Sequence, residues 1–210
     1  MYQTKPQLNI VLPNNLKQIF QLNKSAFSLR LSQLLETKQV ASIRVKTSDL
    51  DQGELTEVIN HVKQINKDEV PLLLENDIHL VTKLKLDGVH LTSGQKLVKT
   101  AKLTLGQLQL VGAFCGLSKH AGLVAAEHGA NYVAFKADHH PLQTTDQIIE
   151  LFKWWSEFIE IPLMGECSNN YFKSSIIRDY CDFFSLTYDI WNPEVTITSL
   201  FKLLNCNPNL

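Results

Sequence analysis

Short apolar segments recur along this chain between stretches of helical periodicity, and this alternation constrains the fold more than any other feature. Successive strands separated by crossover helices pair in parallel, because a parallel partner cannot be reached through a tight hairpin. Strand-like segments are read near Leu8–Leu12, Val40–Lys46, Val70–Glu75, Asp87–Leu91, Leu108–Phe114, Tyr132–Lys136, Ile161–Gly165 and Asp182–Thr187. An open doubly wound sheet built for dinucleotides would need a Gly-rich turn after an early strand. No GxGxxG occurs, and the first strand runs into Leu12-Pro13-Asn14-Asn15. The expected architecture is a single (β/α)8 TIM barrel of class α/β, one domain over residues 1–210.

The helices have their own signals. Thr144 and Gln147 have capping-box spacing, and Ile148, Leu151, Phe152, Trp155, Phe158 and Ile159 recur every three or four residues, so that face is expected to pack on the sheet. Trp154 lies off the stripe. It is read either as a subunit contact in a homo-oligomer or as a ring covered by a neighbouring loop.

With 20 basic against 21 acidic residues the formal charge is -1, so no chain-wide field exists to gather nucleic acid or an anionic membrane. Any anion site must be local. The opening residues have neither the apolar core of a secretory signal nor an Arg-rich transit pattern, and no apolar run approaches the roughly 20 residues that span a bilayer. The expected location is cytoplasmic. Cys115, Cys167, Cys181 and Cys206 form no CxxC pair and are read as buried thiols.

The segment Ala41-Ser42-Ile43-Arg44-Val45-Lys46 carries the most chemistry. Strand alternation puts Ala41, Ile43 and Val45 on the face toward the helices, and Ser42, Arg44 and Lys46 on the face toward the barrel axis. Two inward cations need compensation by a bound anion or by internal carboxylates. A guanidinium fork beside an ammonium suits a phosphate or diphosphate. The anion reading is preferred because active sites in this fold lie at the strand carboxyl ends; pairing of Arg44 with Glu166 or another interior carboxylate would replace that site by an ion pair.

The run SIRVK, then LLLENDIHLV and DGVHL, resembles the thiamine-phosphate synthase/TenI family, and VGAFCGLSKH, GANYVAF and IPLMGE resemble its later strands in the same order. The resemblance covers nearly the whole chain, with DGVHL its most specific piece. It implies a transferase of thiamine biosynthesis that couples hydroxymethylpyrimidine diphosphate to thiazole phosphate, with Mg²⁺ assisting the release of diphosphate. By position it implies that Arg44 and Lys46 hold the diphosphate, that Asn76 meets diphosphate or pyrimidine, and that Asp77 is a metal ligand. His90, in DGVHL, is read as facing the interior, as a substrate contact or a satisfied core residue.

The chain also departs from that pattern. Ser42 replaces a glutamine, no Asp or Glu lies between Asp87 and Glu127 to act as a second metal carboxylate, and Gly165-Glu166-Cys167-Ser168 stands where a Gly-Gly phosphate cradle is expected. Ser168, Ser185 and Thr187 remain as hydroxyl donors. Two alternatives follow from these losses: a catalytically inactive paralogue that binds a phosphorylated ligand or a protein partner, and a TenI-like thiazole tautomerase using His139 or His140, oriented by Asp138, as a proton carrier.

Overall fold

In the computed structural model, residues 6–47, 50–137, 144–167, 175–186, 189–192 and 194–198 are described. Eight parallel strands close into a barrel in sequence order. They are β1 (Gln7–Val11), β2 (Val40–Val45), β3 (Leu72–Glu75), β4 (Gly88–Leu91), β5 (Leu110–Phe114), β6 (Tyr132–Lys136), β7 (Leu163–Cys167) and β8 (Phe183–Leu186). The intervening helices are α1 (Leu16–Glu36), α2 (Gln52–Asn66), α3 (Ile78–Lys83), α4 (Val98–Leu105), α5 (Lys119–Glu127), α6 (Thr145–Phe158) and α7 (Ser175–Arg178). The TIM-barrel expectation is met. Among the described residues no helix is long and apolar enough to cross a membrane.

Five strands, β3, β4, β5, β7 and β8, begin one or two residues later than the apolar pattern implied. β3 starts at Leu72 and β7 at Leu163, each just after a proline, Pro71 and Pro162. Proline has no N–H to give to the ladder, so these residues only accept, from Ile43 N and Val133 N respectively. At its other end β7 runs past Gly165 to Cys167, and Glu166 O accepts from Ala137 N. Glu166 is therefore a strand residue rather than part of the following loop.

The amino-terminal rim of the barrel is closed by side chains. Asp87 accepts from Leu72 N at 2.7 Å, Asn131 from Val111 N at 2.9 Å and Asp182 from Leu163 N at 2.8 Å. Each residue sits just before an even-numbered strand and accepts from an amide at the start of the neighbouring strand, the first residue of β3 and of β7 and the second of β5. The Asp87 of DGVHL thus has a structural role, at the end of the barrel away from the mouth.

The apolar core lies mainly between sheet and helices, with Leu8, Ile10, Ile43, Val45, Leu72, Leu74 and Val89 pointing outward into it. α6 has the capping box, Thr144 accepting from Gln147 N and Gln147 accepting from Thr144 N. Ile148, Phe152 and Trp155 are buried as expected, but Phe158, in the last turn, is 67% exposed. Trp154 is half-buried, stacked on Phe158 with centroids 5.9 Å apart and covered by Lys119. Cys115, Cys167 and Cys181 are buried, and burial pushes the Cys115 thiol up to about 12; Cys206 lies outside the described residues.

A smaller cluster of Leu73, Tyr132, Ala134 and Met164 fills the barrel interior, with Leu110, Phe114 and Phe183 against it. Gly112 makes room for Tyr132. A Cβ there would lie 2.0 Å from the tyrosine ring, so Gly112→Ala must displace the ring and should cost about 1–3 kcal/mol. Urea denaturation checks this; a loss below about 0.5 kcal/mol, the range of an ordinary surface change, would mean that the interior is looser than described.

Candidate active site at the barrel mouth

Alternation along β2 aims Arg44 at the axis, as read from the sequence, and there it is only 2% exposed. Its partner comes from a distant strand. Glu166 on β7 reaches inward, and its Oε1 accepts a short hydrogen bond from Arg44 Nη1. Glu75, at the end of β3, lies 3.3 Å from Arg44 Nε, without the alignment of a good hydrogen bond. Two carboxylates therefore surround one guanidinium. The compensation that the sequence left open between a bound anion and interior acids is met in the structure by Glu166 and Glu75.

His90 extends the network. Its ring is fully buried, with Nδ1 2.8 Å from the Tyr132 hydroxyl and Nε2 3.1 Å from Glu166 Oε1. A neutral ring with Nε2–H toward Glu166 and Nδ1 accepting from Tyr132 suits both neighbours. Tyr132 was read only as a strand residue; its role here depends on the space left by Gly112.

The electrostatics follow from this packing. Burial alone would push Glu166 up, but Arg44 and then His90 outweigh it and hold the carboxyl well below its ordinary range. Burial pushes Glu75 up, with Arg44 and Lys46 opposing. Burial, followed by Arg44, pushes His90 down, only partly offset by Glu166. Tyr132 is raised, chiefly by burial.

The remaining candidates lie nearer the rim. Lys46 is partly exposed and donates to Asn14 Oδ1 at 2.8 Å, tying the loop after β1 to the end of β2. Asn76 adopts φ 60°, a left-handed conformation that Asn tolerates better than most residues. Its Oδ1 accepts from Thr92 N at 2.8 Å and its Nδ2 donates to Thr92 Oγ1 at 2.8 Å. Asp77 caps α3, its Oδ1 accepting from Leu80 N at 2.9 Å. Beside these residues an open cleft of about 420 Å³ is lined by Thr47, Glu75, Asn76, Asp77, His79 and Thr100, among others.

Asp77 and Glu75 are the carboxylates that line the cleft and could hold a Mg²⁺ together with substrate oxygens. Asp77 also serves as a helix cap, Glu75 also faces Arg44, and among the described residues no three His, Cys, Asp or Glu side chains converge as metal ligands. Ser185 points inward at 1% exposure, and its Oγ and the Oδ1 of neighbouring Asn9 have no hydrogen-bond partner. Asp138, His139, His140, Ser168 and Thr187 lie outside the described residues.

A closed parallel barrel with ionisable side chains gathered at the carboxyl ends of its strands defines a (β/α)8 barrel whose mouth is the candidate site. The family described as thiamine monophosphate synthase matches residues 17–166, and the chain belongs to that family. Among curated relatives, the thiamine-phosphate synthase of Erythrobacter litoralis is 29% identical over 183 residues, covering 81% of this chain and 84% of the relative. That of Hyphomonas neptunium is 31% identical over 182 residues, 81% of each. The solved thiamine phosphate pyrophosphorylase of Pyrococcus furiosus superposes with a TM-score of 0.72 at 17% identity, over 97% of this chain and 98% of that one, a likeness of fold.

His90 yields a prediction about pH. Its proton affinity is lower in the fold than in the unfolded chain, so the unfolded state binds more protons as acidity rises. The stability His90 contributes is present above about pH 6.5 and is lost as pH falls toward its depressed folded value. His61, also lowered, acts in the same direction. Thermal melts from about pH 7 to pH 5 should show a falling Tm, with a shallower slope in His90→Gln. Parallel curves for the two proteins would assign the effect elsewhere.

Proposed function

We propose that this protein is a slow thiamine-phosphate synthase, a transferase that couples hydroxymethylpyrimidine diphosphate to thiazole phosphate with release of diphosphate. The observation that carries the reading is similarity to thiamine-phosphate synthases across four-fifths of the chain, with Arg44, Lys46 and Asn76 at one mouth. In this reaction the bond between the pyrimidine methylene carbon and the diphosphate oxygen breaks, and the thiazole nitrogen lone pair forms the new C–N bond. The protein must neutralise the departing charge and hold the two rings in line.

Lys46 lies nearer the rim than Arg44 and can meet the diphosphate by exchanging its neutral partner Asn14 for a charged one. Arg44 lies deeper and is engaged by Glu166, so its contribution to the leaving group is reduced. Asn76, held rigidly by Thr92, presents its backbone and amide at the rim of the cleft. With Arg44 engaged by Glu166, slow turnover is the expectation.

A second reading is favoured by the Arg44–Glu166 pair and by the use of Asp77 as a cap: a catalytically inactive paralogue that binds a small phosphorylated ligand. The tautomerase reading rests on His139 and His140, which lie outside the described residues.

Continuous measurement of diphosphate release, with both precursors and with or without Mg²⁺, separates these readings. The synthase reading expects turnover on the order of 1 per second or less. Binding of the phosphorylated precursors without diphosphate release under either condition would replace it with the non-catalytic reading.

A further inference from the structure

Glu166 is positioned unlike any other acid among the described residues. It stands on β7 between Lys136 of β6 and Ser185 of β8 in register, yet its carboxylate crosses the barrel to a residue of β2. The two partners differ in exposure. The Arg44 side chain is 3% exposed and that of Glu166 is 20% exposed, so Glu166 has more access to solvent than the cation it bonds. An anion approaching Arg44 through the mouth meets a carboxylate as well as the cation.

A carboxylate also resembles a phosphate in what it offers an arginine: negative charge and oxygens that accept from the same planar fork. The position an incoming phosphate oxygen would take at Nη1 is filled by Glu166 Oε1, and Glu75 faces Nε. A diphosphate added to this arrangement would gain one guanidinium and face two carboxylates, in surroundings where like charges repel strongly. It reaches Arg44 only if Glu166 withdraws. Lys46, two residues further along the chain and nearer the rim, has a neutral partner at 2.8 Å and can take an anion without displacing an acid.

We propose that Glu166 is a built-in stand-in for the anionic substrate: it occupies Arg44 in the resting barrel, leaves Lys46 as the first contact for phosphate, and releases Arg44 only when displaced. This rests on reading the mouth as a phosphate-handling site and adds a specific restraint on it. The ligands disfavoured are those that place a diphosphate deep in the barrel. Those favoured keep a phosphate at the rim, near Lys46, and direct a neutral or proton-donating edge toward Glu166.

Calorimetric titration of the full chain with inorganic pyrophosphate at fixed ionic strength tests this. Glu166→Gln keeps the shape and removes the charge, and it should bind pyrophosphate at least about tenfold more tightly than the native chain, the scale expected when one partner of a buried charge pair is freed for a new one. Unchanged or weaker binding by a folded Glu166→Gln overturns the proposal. Should that variant fail to fold because Arg44 loses its counter-charge, Lys46→Gln, altered near the rim, decides the matter. In the native Glu166 background it should lose pyrophosphate binding by about tenfold or more, whereas binding retained within about twofold means that Arg44 already holds the anion, and the proposal falls. Turnover is not the readout, so the two ideas fail separately: a chain that releases diphosphate from its precursors but shows no Glu166→Gln gain remains a synthase without this restraint.

Discussion

A guanidinium enclosed in a barrel cannot escape its charge, because arginine stays protonated across the range in which proteins fold. The burial of Arg44 on β2 therefore requires compensation inside the barrel, and much of the interior chemistry follows from how it is provided. Glu166 crosses from β7, Glu75 approaches from β3, His90 stays neutral beside them, and Tyr132 donates to the other side of the imidazole ring. Removing a single partner would leave an uncompensated charge among groups with little access to water, which costs more than the pair itself contributes.

The two ends of the barrel are used differently. At the amino-terminal rim, Asp87, Asn131 and Asp182 accept from strand amides and hold the barrel closed. At the carboxyl-terminal mouth, Lys46, Asn76 and Asp77 surround or adjoin a cleft in which backbone caps and side-chain chemistry compete for the same groups. DGVHL spans this division. Its aspartate serves closure, while its histidine joins the interior network.

Much of this was legible in the chain. The order of the strands, the inward direction of Arg44 and the capping box at Thr144 and Gln147 all follow from local periodicity, which has a direct geometric meaning; Lys46, read as inward, lies just past the end of β2 and bonds Asn14 at the rim. Strand limits were read less well, a proline intervening before β3 and β7. Reading β7 as ending at Gly165 left Glu166 in a loop, whereas the ladder continues past it and aims the carboxylate inward. Asp77 was read as a metal ligand from its place after Asn76; the structure gives it the cap of α3, a role that sequence spacing alone does not separate from ligation.

The sequence by itself determined an eightfold βα barrel with a basic strand facing its axis, because alternation and helical period are properties of neighbouring residues. Only the tertiary structure decided what that basic strand would face. Arg44 and Glu166 are 122 residues apart, and whether they meet depends on barrel closure bringing distant strands together and on β7 continuing past Gly165, so that strand alternation turns Glu166 inward. No local pattern carries that information. The charge at the mouth is set by a contact across the barrel rather than along a strand.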